Sequence, residues 1–281
     1  MSSTSHGSRP ASWLPTLVLA PAFFLVGALF LLPSVGPARS SEPLHYATEP
    51  TAPAAPTAPI YRYPVEPAPL PLDNDVFGTH AAGSQVSFVR LSDGEHHGTA
   101  NERFARPALS LIKLYIADYV LDHGSATERK QALTMVRDSS DSIAAALYES
   151  YPEAIDTTAT RYDLQSTRAN SKWGYSVTST YDVCFFLAQK LEEDPNSPLL
   201  RAMRTAKPVA ADGYKQNFGT STLPGAEGSK WGWSNSRTLH SSVSFGEDYV
   251  AAAAIAGSAE DLTDLVEQQL AGLVPEQSAD T

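Results

Sequence analysis

The chain has 281 residues, 42 % of them hydrophobic and 18 % charged, so a sizeable core can form and wholesale disorder is excluded. Its formal net charge is −11 with no long run of Lys or Arg, which argues against nucleic acid or an anionic membrane surface as the main partner. The single cysteine, Cys184, excludes an internal disulfide and a cysteine-rich metal site.

Residues 1–12 precede an apolar segment at 13–33, which carries no charge from Trp13 to Leu32 and is flanked by Arg9 and Arg39. A signal-peptide core needs about 7–15 apolar residues and a membrane span about 20. Two readings stay open: an uncleaved anchor, with 1–12 as a short cytoplasmic N-terminus, or a cleaved signal peptide. Both place the remainder outside the cytoplasm, secreted or held at the cytoplasmic membrane. Residues 34–74 are dense in Pro, Ala and Thr, a composition that cannot bury a core and reads as a semi-rigid spacer. The folded domain is expected over 75–274, with a polar tail at 275–281.

Within that domain Gln85-Val86-Ser87-Phe88-Val89-Arg90 alternates as a strand, Ser92-Asp93-Gly94-Glu95 is a turn, and His96 to Ala100 reads as the partner strand. Ala108 to Leu121 is apolar nearly all round, which predicts a buried helix starting after Pro107 and stopping near His123-Gly124. Ser125-Ala126-Thr127-Glu128 is a capping box for a helix through about Arg137, and a polar break at Asp138 to Asp141 precedes a helix from Ser142 to Glu149. Residues 154–180 read as irregular. Helices follow over Tyr181–Leu191, where Cys184 is a buried small hydrophobe, and over Pro198–Thr205. Strands return at Gly228–Ser234 and Ser236–Phe245. Tyr249 to Ile255 permits strand or helix, and Asp261 to Leu273 is a closing helix. This order predicts an α+β fold: an antiparallel sheet of sequence-distant strands, flanked by helices.

Three stretches carry candidate chemistry. Ser110-Leu111-Ile112-Lys113 places a serine and a lysine three apart in the first turn of a buried helix, so amine and hydroxyl share one face. Such groups inside an apolar helix need a function. The second stretch is Ser139-Ser140-Asp141-Ser142, ahead of Ala-rich Ile143 to Leu147. The third is Leu223-Pro224-Gly225-Ala226-Glu227-Gly228-Ser229-Lys230-Trp231-Gly232-Trp233-Ser234.

In order and local context these resemble the S-x-x-K, S-x-N and K-T/S-G motifs of the penicillin-recognising serine hydrolases, the superfamily of class A β-lactamases and D-alanyl-D-alanine peptidases. The likeness spans about Val86 to Leu273 and implies a β-lactamase-like fold, with a helical subdomain reduced because Ser110 and Ser140 lie close in sequence. Carried over, it implies Ser110 as nucleophile, Lys113 as its base and Ser140 as proton relay. Ser142 would stand at the Asn position. Lys230 would attract a substrate carboxylate, with Trp231 at the hydroxyl position and Gly232 letting a substrate backbone lie flat. Backbone N–H groups of Ser110 and Trp233 would form the oxyanion hole.

The same resemblance implies a cell-wall peptide or a related amide or ester as substrate, a possible covalent β-lactam adduct, and no cofactor. No glutamate occurs between Glu153 and Glu192, so the deacylating glutamate of class A enzymes has no counterpart and a penicilloyl adduct should persist. The departures at Ser142 and Trp231 keep a second reading open, a catalytically degenerate binding protein of the cell envelope. A near-duplicate, Ser171-Lys172-Trp173-Gly174-Tyr175-Ser176, falls where the family has its active-site loop; Trp173 and Tyr175 there could wall the same cleft. His96-His97 lacks a third ligand at metal spacing and reads as a solvated strand end, and His240 as a satisfied, partly buried strand residue.

Overall fold

Strand–turn–strand alternation at the start of the domain folds as anticipated. In this computed structural model, which describes the backbone of Ala68–Pro69 and residues 83–274, β2 (Gln85–Arg90) pairs antiparallel with β3 (His96–Gly98). The short β1 (Ala68–Pro69) joins β3 in parallel at the sheet edge, so the ordered sheet reaches back into the Pro/Ala-rich stretch. The apolar segment 13–33, the rest of 34–74 and the tail 275–281 lie outside the described residues, and no helix among the described residues is long and apolar enough to cross a membrane.

The six-stranded sheet has the order β1-β3-β2-β8-β7-β6, with β6 (Gly228–Trp233), β7 (His240–Phe245) and β8 (Tyr249–Ile255) as an antiparallel meander. β8 lies inside the sheet and all seven of its residues are buried. Val250 and Ala252 face one core cluster and Ala251, Ala253 and Ile255 the other, so small side chains fit a strand covered on both faces. That burial settles the Ala-rich stretch as strand rather than helix. A separate ladder joins β4 (Arg106–Pro107) to β5 (Val177–Thr178).

Among the described residues, one face of the sheet carries six helices, α1 (Ile112–His123), α2 (Ala126–Asp138), α3 (Asp141–Ser150), α4 (Ala154–Arg161), α5 (Thr180–Glu193) and α6 (Pro198–Arg204), which share one core cluster. The closing helix α7 (Ala259–Gln269) packs with Phe88, Trp231 and Tyr249 in the other cluster. α2 opens on the capping box of Ser125 and Glu128, and α7 on a second one built by Ser258 and Asp261.

Two readings need correction. Residues 154–180 are not all irregular, because α4 forms despite its threonines. Ala154, Ile155, Thr158 and Ala159 make one buried stripe, and Thr158 Oγ1 donates to the carbonyl of Tyr115 at 3.1 Å. Tertiary packing of that stripe overrides the weak helix propensity of β-branched residues. His96 is not solvated: its side chain is 5 % exposed and lies 3.1 Å from the buried carboxylate of Glu102, which also accepts from Ser87 Oγ at 2.7 Å. His240 is buried, with Nδ1 2.7 Å from the carbonyl of Gly257 and Nε2 2.9 Å from the Tyr214 hydroxyl.

Candidate active site

The approach to α1 is built to present Ser110. Leu109 sits at φ +53, a conformation that costs a non-glycine residue about 1–2 kcal/mol. A 3-10 turn over Leu109–Leu111 then leads into α1. Ser110 lies at the floor of the cleft, 8 % exposed, and one turn on Lys113 is fully buried. Their i, i+3 spacing brings Lys113 Nζ to within 2.9 Å of Ser110 Oγ. The ammonium fills its other donor positions with the carbonyl of Ser139 at 2.6 Å and Asp141 Oδ1 at 2.5 Å.

Between α2 and α3 the serine doublet divides its labour. Ser139 closes α2 in the left-handed region, at φ +57. Its hydroxyl accepts from Lys230 Nζ at 2.7 Å and lies 3.4 Å from Lys113 Nζ, bridging the two lysines. Ser140 is turned the other way. Its Oγ caps α3 by accepting from the Ile143 N–H at 3.3 Å, and it sits 3.1 Å from Ser142 Oγ. The bridging position expected of Ser140 is thus held by Ser139, and the position two residues on is held by Asp141, not Ser142. Ser142 is exposed on α3, and the cleft is lined by Ser139 and Asp141 instead. The physical reason is that a helix N-cap must spend its side-chain oxygen on the first turn.

Burial pushes the Lys113 amine below its ordinary value, against the opposing pull of Asp141. Lys230, fully buried on β6, is pushed well below its ordinary value by burial first and by Lys113 second. Both lysines are therefore easier to deprotonate than surface ones.

Strand alternation sorts the third motif. Lys230 and Gly232 face α1, whereas Trp231 faces the opposite core, where its indole N–H donates to the carbonyl of Phe218 at 2.9 Å and to Ser221 Oγ at 3.2 Å. Trp231 is a core residue and forms no part of the cleft. Gly232 meets a constraint other than substrate contact. A Cβ there would stand 2.8 Å from Leu109 Cβ and 2.9 Å from the Ser110 nitrogen, so only glycine lets β6 lie this close to the nucleophile. The Ser234 N–H donates to the Leu239 carbonyl across β7, and alternate residues of an antiparallel strand face opposite ways. The Trp233 N–H accordingly points off the outer edge of β6, which pairs with no strand among the described residues, on the side of Ser110.

The resulting cleft, about 490 Å³, is lined by Ser110, Ser139, Asp141 and Trp233 on one side and by Lys172, Trp173, Gly174 and Tyr175 on the other. The near-duplicate motif thus supplies the far wall, and the Trp173 ring centroid lies 4.9 Å from Lys113 Nζ. The wall is tied down. Ala108 N–H donates to Ser176 O at 3.0 Å, Thr167 Oγ1 donates to Asp182 Oδ2 at 2.7 Å, and Tyr115 OH lies 2.9 Å from Thr178 Oγ1. Asp212, which no motif flagged, also lines the cleft; it accepts from Trp233 Nε1 at 3.0 Å and from Arg237 at 3.3 Å. An Asp-Gly turn in a loop gives no sequence signal for that role.

An antiparallel sheet between a helical layer bearing a serine–lysine pair and a closing helix is the fold of the penicillin-recognising serine hydrolases, and the chain has that fold, in divergent form. It is similar to PBP-A at 17 % identity and TM-score 0.58, over 73 % of this chain and 96 % of that one. It is similar to penicillin-binding protein D2 from Listeria monocytogenes at 16 % and 0.52, over 68 % and 97 %. A variant of the last common ancestor of Gram-negative bacterial class A β-lactamases aligns at 14 % and 0.57, over 71 % and 96 %. No protein-family model and no curated protein matches the chain.

Proposed function

We propose that the protein is an extracytoplasmic serine acyl-enzyme hydrolase acting on a cell-wall peptide or a related amide or ester. The observation that carries this is the unbroken chain of contacts Ser110–Lys113–Ser139–Lys230, buried at the floor of a cleft. Neutral Lys113 takes the proton as Ser110 Oγ attacks the carbonyl carbon. The oxyanion that forms is met by the N–H groups of Ser110 and Trp233, each such donor being worth about 10²–10³ in rate. The proton then passes from Lys113 through the Ser139 hydroxyl to the leaving group, while Lys230 orients that hydroxyl. Water completes the cycle by attacking the acyl-enzyme. No glutamate occurs between Glu153 and Glu192, and the far wall presents Trp173 to Lys113, which supports slow deacylation and a persistent β-lactam adduct. Location outside the cytoplasm is supported by the apolar segment 13–33 and the Pro/Ala-rich stretch after it.

The test is labelling with a fluorescent penicillin, read by gel and by intact mass. A single adduct that disappears in Ser110→Ala is expected. An adduct retained in that variant, or on another residue, would overturn the assignment.

A further inference from the structure

Asp141 stands where an acyl group must pass, and its chemistry is one-sided. A carboxylate only accepts hydrogen bonds, so it repels a carbonyl oxygen and attracts an N–H or an ammonium. Its side chain is 71 % exposed in the cleft wall, with Oδ1 held 2.5 Å from Lys113 Nζ. Among the described residues no hydrogen bond reaches Oδ2. Lys113 in turn lies 2.9 Å from Ser110 Oγ, so the carboxylate is one lysine away from the attacking atom. An amine on the carbon next to a scissile carbonyl is two covalent bonds from the atom under attack, a reach on the scale of the Ser110–Lys113–Asp141 run of contacts. The Trp173 ring, its centroid 4.9 Å from Lys113 Nζ, turns an electron-rich face to that amine across the cleft. Of the other charges on the cleft, Asp212 is paired with Arg237, and Lys172 is exposed and screened by solvent.

Resting on the acyl-enzyme reading above, we infer that Asp141 makes this cleft select acyl donors with a protonated amine beside the scissile carbonyl. The bound ammonium takes the free oxygen of Asp141 and adds positive potential at Lys113, which favours the neutral amine that the reaction needs. With a thioester donor the step balances without a co-reactant. The Ser110 Oγ–carbonyl carbon bond forms, the carbon–sulfur bond breaks, and the serine proton travels by Lys113 and Ser139 to the departing thiolate.

The experiment compares an alanyl thioester bearing a free amine with its N-acetyl counterpart, sharing one leaving group, on the wild type and on Asp141→Asn. Thiol release gives the acylation rate, and intact mass gives the adduct on Ser110. The wild type should acylate with the free amine at least about 10-fold faster than with the acetylated donor, the discrimination of one charge-assisted hydrogen bond. Asp141→Asn should abolish or reverse that ratio, a change that mere loss of folded protein does not produce. Adducts formed at equal rates in the wild type, or a ratio unchanged in Asp141→Asn, would overturn the inference alone. Absence of an adduct from both donors on the wild type would overturn the acyl-enzyme reading and the inference with it. Equal wild-type rates overturn the inference even where the variant fails to fold.

Discussion

Ser139 and Ser140 are adjacent, chemically identical and assigned opposite duties, so a pair of alanine substitutions separates them. Ser139→Ala removes the hydroxyl that accepts from Lys230 at 2.7 Å and stands 3.4 Å from Lys113. Positioned proton transfer is worth about 10²–10⁴ in rate, so acylation should slow by that factor, about 2.7–5.4 kcal/mol at 1.36 kcal/mol per decade. The same change deprives two buried lysines of an acceptor, at a cost of about 1.5–3 kcal/mol in stability. Ser140→Ala removes the cap on the Ile143 N–H and the contact with exposed Ser142, about 1 kcal/mol, which lowers Tm by about 2–4 °C in a domain of this size. Its acylation rate should match the wild type. The assay is a time course of fluorescent-penicillin labelling, run well below the Tm of either variant. If Ser140→Ala slowed labelling more than about 10-fold while Ser139→Ala labelled normally, the division of roles would be refuted.

Two further outcomes follow from the same geometry. Trp231→Ala should destabilise by about 3–5 kcal/mol through loss of a core side chain, measured by denaturant unfolding, while folded protein at low temperature keeps its labelling rate, since Trp231 faces away from the cleft. Lys230 sets a pH dependence. Its native pKa lies well below the ordinary 10.5, so the unfolded chain binds more protons in the window between the two, and stability climbs with pH there. The penalty is full below the native value and gone above 10.5. Lys230→Met should therefore melt above the wild type near neutral pH, with the gap narrowing toward alkaline pH; a constant or widening gap would contradict this.

Much of this architecture rests on local signals that a sequence displays openly. The Ser125–Glu128 capping box, the nearly all-round apolar surface of α1 and the alternation of β2 each encode their element without help from distant residues. The Ser110–Lys113 contact is as local as those, being one helical turn. What was not legible depends on direction or on packing. The doublet offers two serines for one bridging role, and only the need of α3 for an N-cap decides between them. Counting the cap first would have pointed to Ser139. Trp231 was readable in principle, because a period of two from Lys230 and Gly232 puts it on the other face. α4 and Asp212 had no such cue. The first is held by contact with α1, and the second enters the cleft by way of a loop whose course is fixed by partners far away in sequence.

The β4–β5 ladder has a consequence for how the cleft is held. It fastens the run-in to Ser110 and the Trp173 wall to each other, main chain to main chain. The relative placement of nucleophile and wall is thereby held by main-chain hydrogen bonds rather than by side chains that can swing aside. Loosening that ladder would therefore unsettle the approach to Ser110 and the aromatic wall together.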